Sequence, residues 1–305
     1  MKKDLLSIRD LTGNDYADII AISLAIKADR ASYGSVFAGR TAVLIFDKPS
    51  LRTRVTFEVA MNQFGGQSIY MPGQDISLGK RETVADGARN LSRWVDAVVM
   101  RTFGHDIIEE LAANASIPVV NALTDYEHPC QALACMMTLQ EHWGETRGKT
   151  MVFVGDGNNV AHSLMLAAPL AGMNFVMCCP EGYDPDPGVV SDTEDLAEEA
   201  GTSYALVRDP AEAVRGAEVI YTDVWASMGQ ERETNERAQI FKGYQVNTAL
   251  LKAAGGHALV SHCLPAHRGE EITSDVLDSP ASIAFDEAEN RLHVQKGVLY
   301  RLLGR

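Results

Sequence analysis

Within five consecutive residues, Ser50, Leu51, Arg52, Thr53 and Arg54, the chain places two guanidinium groups and two hydroxyls where a helix is about to begin. With Ser50 as N-cap, these groups and the free backbone N–H groups of the first turn converge on one point, and a phosphate fits there. His128-Pro129-Cys130-Gln131 sets an imidazole and an amide at a helix start that proline favours. Both can donate to a carbonyl oxygen that gains charge during attack. Asp223-Val224-Trp225-Ala226-Ser227-Met228-Gly229 carries a carboxylate and a hydroxyl able to accept from an ammonium group, and His262-Cys263-Leu264-Pro265 offers a thiol. Taken singly, each has an ordinary reading: a capped helix with solvated arginines, a surface histidine, a side-chain-stabilised turn, a small buried hydrophobe.

Two other chemistries are weaker. Gly155-Asp156-Gly157-Asn158-Asn159 invites a nicotinamide-dinucleotide reading, but Val160 stands where the third glycine of the fingerprint belongs, and the strand ending at Cys178-Cys179 has no ribose-binding acid at its tip. His262, Cys263 and His267 suggest metal ligands, but no carboxylate or second thiol stands near them at ligand spacing, so no metal is expected.

The elements that must position these groups are legible in the hydropathy. Short runs rich in β-branched and other apolar residues, at 41–46, 97–100, 118–120, 151–154, 174–178, 203–207, 217–221, 258–261 and 282–285, alternate with segments of helical period. This alternation predicts α/β architecture, with parallel sheets flanked by helices and ligand sites at the carboxyl ends of strands. The chemistry-bearing motifs fall just after these runs, and Arg101 ends one of them. Ala132, Met136, Leu139 and Trp143 mark a helix that stops near Gly144, so the polar run 144–150 is the expected domain boundary. A last helical segment, 294–303, is expected to return to the first domain, and the charged stretch 230–245 reads as a mobile loop.

Composition narrows the classes. The chain has 305 residues, enough for two domains. Its 41 acidic and 27 basic side chains give a net charge of -14, a field that repels nucleic acid and requires a local basic pocket for any bound anion. Five cysteines without a CxxC pair argue against a disulfide framework and for reduced thiols in a cytoplasmic setting. No apolar stretch is long enough to span a bilayer, so no membrane partner is expected.

Together the motifs resemble the aspartate and ornithine carbamoyltransferases. Ser-Leu-Arg-Thr-Arg is similar to that family's Ser-Thr-Arg-Thr-Arg carbamoyl-phosphate signature, with Leu51 departing at a position that offers its backbone to the ligand. His128 to Gln131 resembles the family's His-Pro-x-Gln. Gly-Asp-Gly-Asn-Asn, the Asp-x-x-x-Ser-Met-Gly loop and His-Cys-Leu-Pro are similar to the ornithine-using branch. The resemblance runs from Phe46 to Arg291. It implies two Rossmann-like domains joined by interdomain helices: 1–143, with 287–305 packing back on it, for carbamoyl phosphate, and 144–286 for ornithine. The implied reaction transfers the carbamoyl group of carbamoyl phosphate to the δ-amine of L-ornithine, giving L-citrulline and phosphate in arginine biosynthesis, without metal or organic cofactor.

By the same resemblance, Arg101, His128, Asp223 and Cys263 are catalytic. Carbamoyl phosphate is held by Ser50, Leu51, Arg52, Thr53, Arg54, Arg101, His128, Gln131, Cys263, Leu264 and Arg291. Ser77, in a loop that reaches a neighbouring subunit's site, joins them from that neighbour, at a position where relatives place Gln or His. Ornithine is held by Asn159, Asp223, Ser227, Met228 and Cys263. Trimers or multiples of trimers follow from the family; because the two ligand sets lie in different halves of the chain, closure of the halves is expected, with a moving lid at 227–245. An amine with pKa about 10.4 is free base only to roughly one part in two thousand near pH 7, so the site must select or make the neutral form. Competing acceptors are aspartate, N-acetylornithine and putrescine. A sensor that binds carbamoyl phosphate without catalysis would lack the acceptor groups, and Asp223, Ser227 and Cys263 are all present.

Overall fold

The computed structural model describes residues 2–76, 78–79, 81–226 and 234–304. The chain divides into two compact units, one formed by Met1–Met137 with Glu289–Arg305 and the other by Thr138–Ala288. Both borders fall inside helices, Pro129–Trp143 and Ala284–Leu303, rather than in the polar run after Gly144. A continuous helix joins the units at each crossing, so the change of neighbours occurs within regular structure.

The first unit is built on a parallel sheet of β1 (Thr41–Phe46), β2 (Gln67–Pro72), β3 (Ala97–Arg101) and β4 (Val119–Leu123), in the order β2-β1-β3-β4. Residues 42–46 and 97–101 are buried, which is why β1 and β3 appear in the sequence as uninterrupted apolar runs. The edge strand β2 reads Gln-Ser-Ile-Tyr-Met-Pro with no fully buried position. It gives no such run, and sequence reading passes over it.

The second unit holds β5 (Thr150–Val154), β6 (Asn174–Cys178), β7 (Tyr204–Val207), β8 (Val219–Thr222) and β9 (Leu259–His262), all parallel, in the order β7-β6-β5-β8-β9. Its core gathers Val152, Val154, Ile220, Val260, Val276 and Leu277, among others.

Two expectations need correction. The run 282–285 is not a strand: Ser282 makes one isolated bridge to Val260, and Ala284 begins the helix Ala284–Leu303, ten residues earlier than expected. Asp286 and Glu287 in the first turn favour a helix start there. In the stretch 230–245, residues from 234 on are not a loop. They form the helix Thr234–Ile240 and the turn Phe241–Tyr244, anchored by buried Arg237 and Phe241.

Candidate active site

In each unit, most of the described groups singled out by sequence follow the carboxyl ends of strands, beside the point where strand order reverses direction. In the first unit the reversal lies between β1 and β3, and the Asp47 N–H donates to the Arg101 carbonyl at 2.8 Å. Ser50 is the N-cap of the helix Leu51–Gln63, its hydroxyl accepting the Thr53 N–H at 3.2 Å. Leu51 is 76% exposed, consistent with a position whose backbone matters more than its side chain. Thr53 is buried, and its hydroxyl accepts from the Arg291 guanidinium at 2.9 Å. Arg291, almost fully buried, also donates to the Gln131 side-chain carbonyl and lies 3.5 Å from His128 Nε2. Burial, then the charges of Arg291, Arg101 and Arg52, hold the His128 pKa well below the usual histidine value. The imidazole is therefore neutral at physiological pH and keeps one N–H to donate. A site ringed by cations but containing no cationic histidine suits an anion whose carbonyl oxygen gains charge. Arg54 is turned elsewhere: its Nε donates to Glu58 at 2.9 Å and its guanidinium lies 3.5 Å from the Tyr70 ring centre.

In the second unit the reversal lies between β5 and β8. Asn158 caps the helix Asn159–Leu170 by accepting from the Val160 and Ala161 N–H groups, while its side-chain amide donates to Asp223 Oδ2 at 2.9 Å. Asp223 Oδ1 accepts from the Cys263 thiol and from the Val224 N–H, each at 2.8 Å. Buried Asp223 and half-buried Cys263 thus form one cluster with Asn158, and Asn159 opens the adjoining helix. Leu264 follows with φ 55°, a left-handed backbone rarely adopted by a non-glycine residue. Ser77, Ser227 and Met228 lie outside the described residues.

Cys130, Cys135, Cys178 and Cys179 are buried. Burial pushes the Cys130 thiol up to about 11 and those of Cys178 and Cys179 up to about 12.

Carboxylates do stand near the residues considered as metal ligands: Glu270 and Glu271 each bring a ligand atom within 4.8 Å of His267, on a largely exposed turn. A carboxylate also stands beside Cys263, because β8 and β9 are neighbours and bring in Asp223. One ligand atom each from Asp223, His262 and Cys263 lies within 4.8 Å of the others. Both His262 ring nitrogens are engaged, however: Nδ1 accepts from the Leu264 N–H at 2.8 Å and Nε2 pairs with Glu271 at 2.9 Å. His262 is thus spent on holding the loop rather than presented to an ion.

Supporting residues escaped sequence reading. Buried Lys48 pairs with Asp125 and lies 4.4 Å from the Phe103 ring centre, tying together the loops after β1, β3 and β4. Its place between a strand end and the arginine motif was the available signal. Glu287 receives hydrogen bonds from Tyr221 at 2.7 Å and Ser261 at 2.5 Å, two residues before Asp223 and Cys263 respectively. Nothing in the local sequence announces that link. Nor does Asn158 announce its bond to Asp223.

The sequence pattern described as "Aspartate/ornithine carbamoyltransferase, carbamoyl-P binding domain" matches residues 3–141, and that described as "Aspartate/ornithine carbamoyltransferase, Asp/Orn binding domain" matches residues 147–302. The chain belongs to the aspartate/ornithine carbamoyltransferase family. Among carbamoyltransferases it is 51% identical over 304 residues to the ornithine carbamoyltransferase of Pyrococcus abyssi, covering 99% of this chain and 96% of that one. It is 50% identical over 305 residues to that of Syntrophus aciditrophicus, covering 99% and 100%. The solved ornithine carbamoyltransferase from Pyrococcus furiosus superposes with a TM-score of 0.95 at 50% identity, over 99% of this chain and 97% of that one. The carbamoyltransferase fold does not by itself decide the acceptor. An acetylornithine transcarbamylase complexed with acetylcitrulline also superposes, with a TM-score of 0.89 at 31% identity over 100% of both chains.

Proposed function

We propose that this chain catalyses carbamoyl transfer from carbamoyl phosphate to the δ-amine of L-ornithine, releasing L-citrulline and phosphate. The amine nitrogen forms a bond to the carbamoyl carbon, charge builds on the carbonyl oxygen, and the carbon–oxygen bond to phosphate breaks as the nitrogen loses its proton. Arg101, neutral His128 and Gln131 donate to the oxygen that gains charge; Ser50, Arg52, Thr53 and Arg291 hold the leaving phosphate. Preorganised donors of this kind need not reorganise during the reaction, which is the main source of the acceleration.

The acceptor assignment rests on one observation, the Asp223 carboxylate held at the β5/β8 reversal by Asn158 and Cys263. It offers a buried negative charge to an α-ammonium and places a thiol beside it. Asn159, with the backbone around Met228, receives the α-carboxylate. N-acetylornithine has no such ammonium and putrescine no carboxylate, and leaving buried polar groups unpaired can cost a factor of about 10⁴ in specificity. Assay of ureido product with ornithine, N-acetylornithine, putrescine and aspartate tests the assignment. A higher specificity constant for any acceptor other than ornithine overturns it and leaves the reaction class standing.

We also propose a homotrimer or a multiple of one, with the loop at Ser77 serving a neighbouring subunit's site. In support, the first unit exposes Leu51, Val55, Ile69, Trp94 and Phe103, large apolar side chains whose burial favours association. A cytoplasmic location is supported by five unpaired cysteines. Among the described residues no helix is long and apolar enough to cross a membrane.

A further inference from the structure

We propose that Arg237 is a positioning residue for the acceptor, an inference that rests on the reading of Asp223 and its neighbours as the amino-acid site. Arg237 lies in the helix Thr234–Ile240, is 8% exposed, and donates through one nitrogen to Asp156 Oδ2 at 2.8 Å and to the Trp225 carbonyl at 2.9 Å. Asp156 stands two residues before Asn158; Trp225 stands two residues after Asp223. A single guanidinium therefore ties together the two loops whose ends form the Asn158–Asp223 hydrogen bond.

A third loop encloses it. The Tyr183 ring centre lies 5.0 Å from the guanidinium carbon, and the Tyr183 carbonyl accepts the Gly157 N–H at 2.9 Å. A Cβ on Gly157 would stand 2.3 Å from the Pro185 nitrogen, so the two loops are in backbone contact at that point. Phe241 packs edge-on to Tyr183 and stacks with Trp225, closing an apolar wall round the ion pair. Burying a guanidinium and a carboxylate gains little stability over an apolar pair of similar volume. What it supplies here is geometry: one nitrogen of a rigid planar group registers the Asp156 carboxylate against the Trp225 backbone carbonyl, which a flexible ammonium does poorly.

The test compares Arg237→Lys, Arg237→Ala and Asp156→Asn with Asp223→Asn as reference. In the positioning variants the specificity constant for ornithine falls about 10- to 100-fold, the scale of a small misplacement of reacting groups. Most of that fall appears in the ornithine KM, carbamoyl phosphate affinity by calorimetry stays within about twofold, and preference for ornithine over putrescine narrows. The Arg237→Ala, Asp156→Asn double variant is no worse than the worse single one, because both remove the same tie. Wild-type ornithine kinetics in Arg237→Lys and Asp156→Asn, with Asp223→Asn impaired, overturn the positioning role. An equal loss of both substrates' affinities together with early thermal unfolding overturns it too, in favour of simple scaffolding. If Asp223→Asn itself uses ornithine normally, the underlying site reading fails instead.

Discussion

The Cys263 thiol donates a hydrogen bond to the Asp223 carboxylate across 2.8 Å, joining the ends of two adjacent parallel strands. The same carboxylate accepts from the Asn158 amide and the Val224 N–H, so three loops are fixed on one side chain. On the proposed function, this pair is the group that meets the acceptor.

Replacing Asp223 by Asn removes the charge and keeps the shape. The specificity constant for ornithine is expected to fall about 10- to 100-fold, the value of a hydrogen bond to a charged group. Carbamoyl phosphate binding, measured by calorimetry, should stay near wild type. Unchanged ornithine kinetics would remove the carboxylate from acceptor recognition.

The arginines of the anion site are not equivalent. Arg52→Ala and Arg291→Ala each remove a cation that bears directly on His128, and each should lower turnover by at least about 100-fold. Arg54→Ala breaks a partly exposed pair with Glu58 and should cost less than about tenfold. Steady-state kinetics on the three variants decide it; a collapse in Arg54→Ala equal to the others would show that Arg54 swings to the phosphate.

Acid should weaken the protein through His128. Its folded pKa is depressed, so below the unfolded value of about 6.5 the unfolded chain binds the proton more readily. Stability is full above that pH and declines as pH falls through it. Urea unfolding between pH 7.5 and 5 is expected, on this sign, to show a shallower decline in His128→Gln than in wild type. Identical slopes would mean that His128 is accommodated as a cation.

Lys296 has the opposite charge logic at the alkaline end. It is fully buried, donates to Gln63 and lies 5.3 Å from the Phe64 ring centre, and burial lowers its pKa to about 8. Below that value its buried charge weakens the fold; from about 8 up towards the ordinary lysine value the penalty is relieved as the proton leaves. Lys296→Met should therefore raise the melting temperature more at pH 7 than at pH 10. A gain that grows with pH would contradict this.

Sequence legibility followed burial. Runs such as Thr41–Phe46 and Asn174–Cys178 are apolar because both sheet faces are covered, and their limits could be read directly. Edge strand Gln67–Pro72 left no run, and 282–285 had the right composition but only one strand-like contact before helix began. Motif spacing singled out Thr53, His128, Gln131, Asp223 and Cys263 as candidates. It could not show that Arg291 reaches Thr53, or that Arg54 turns to Glu58. Those depend on which loops end side by side, a property of sheet order rather than of any one segment. Arg237 was hidden in the same way, since a charged stretch poor in aliphatics looks like solvent-exposed chain until its partner Asp156 is in place.

The first unit is discontinuous in sequence and the second is not. Residues 138–288 form one uninterrupted stretch, whereas the phosphate-side unit needs both ends of the chain, Arg291 included. For recombination between relatives the two halves are therefore unequal: the acceptor half can be exchanged as a single cassette with two crossover points, each inside a helix. A fragment that stops at Met137 lacks the guanidinium that binds Thr53 and Gln131, and no amount of correct folding in what remains can supply it.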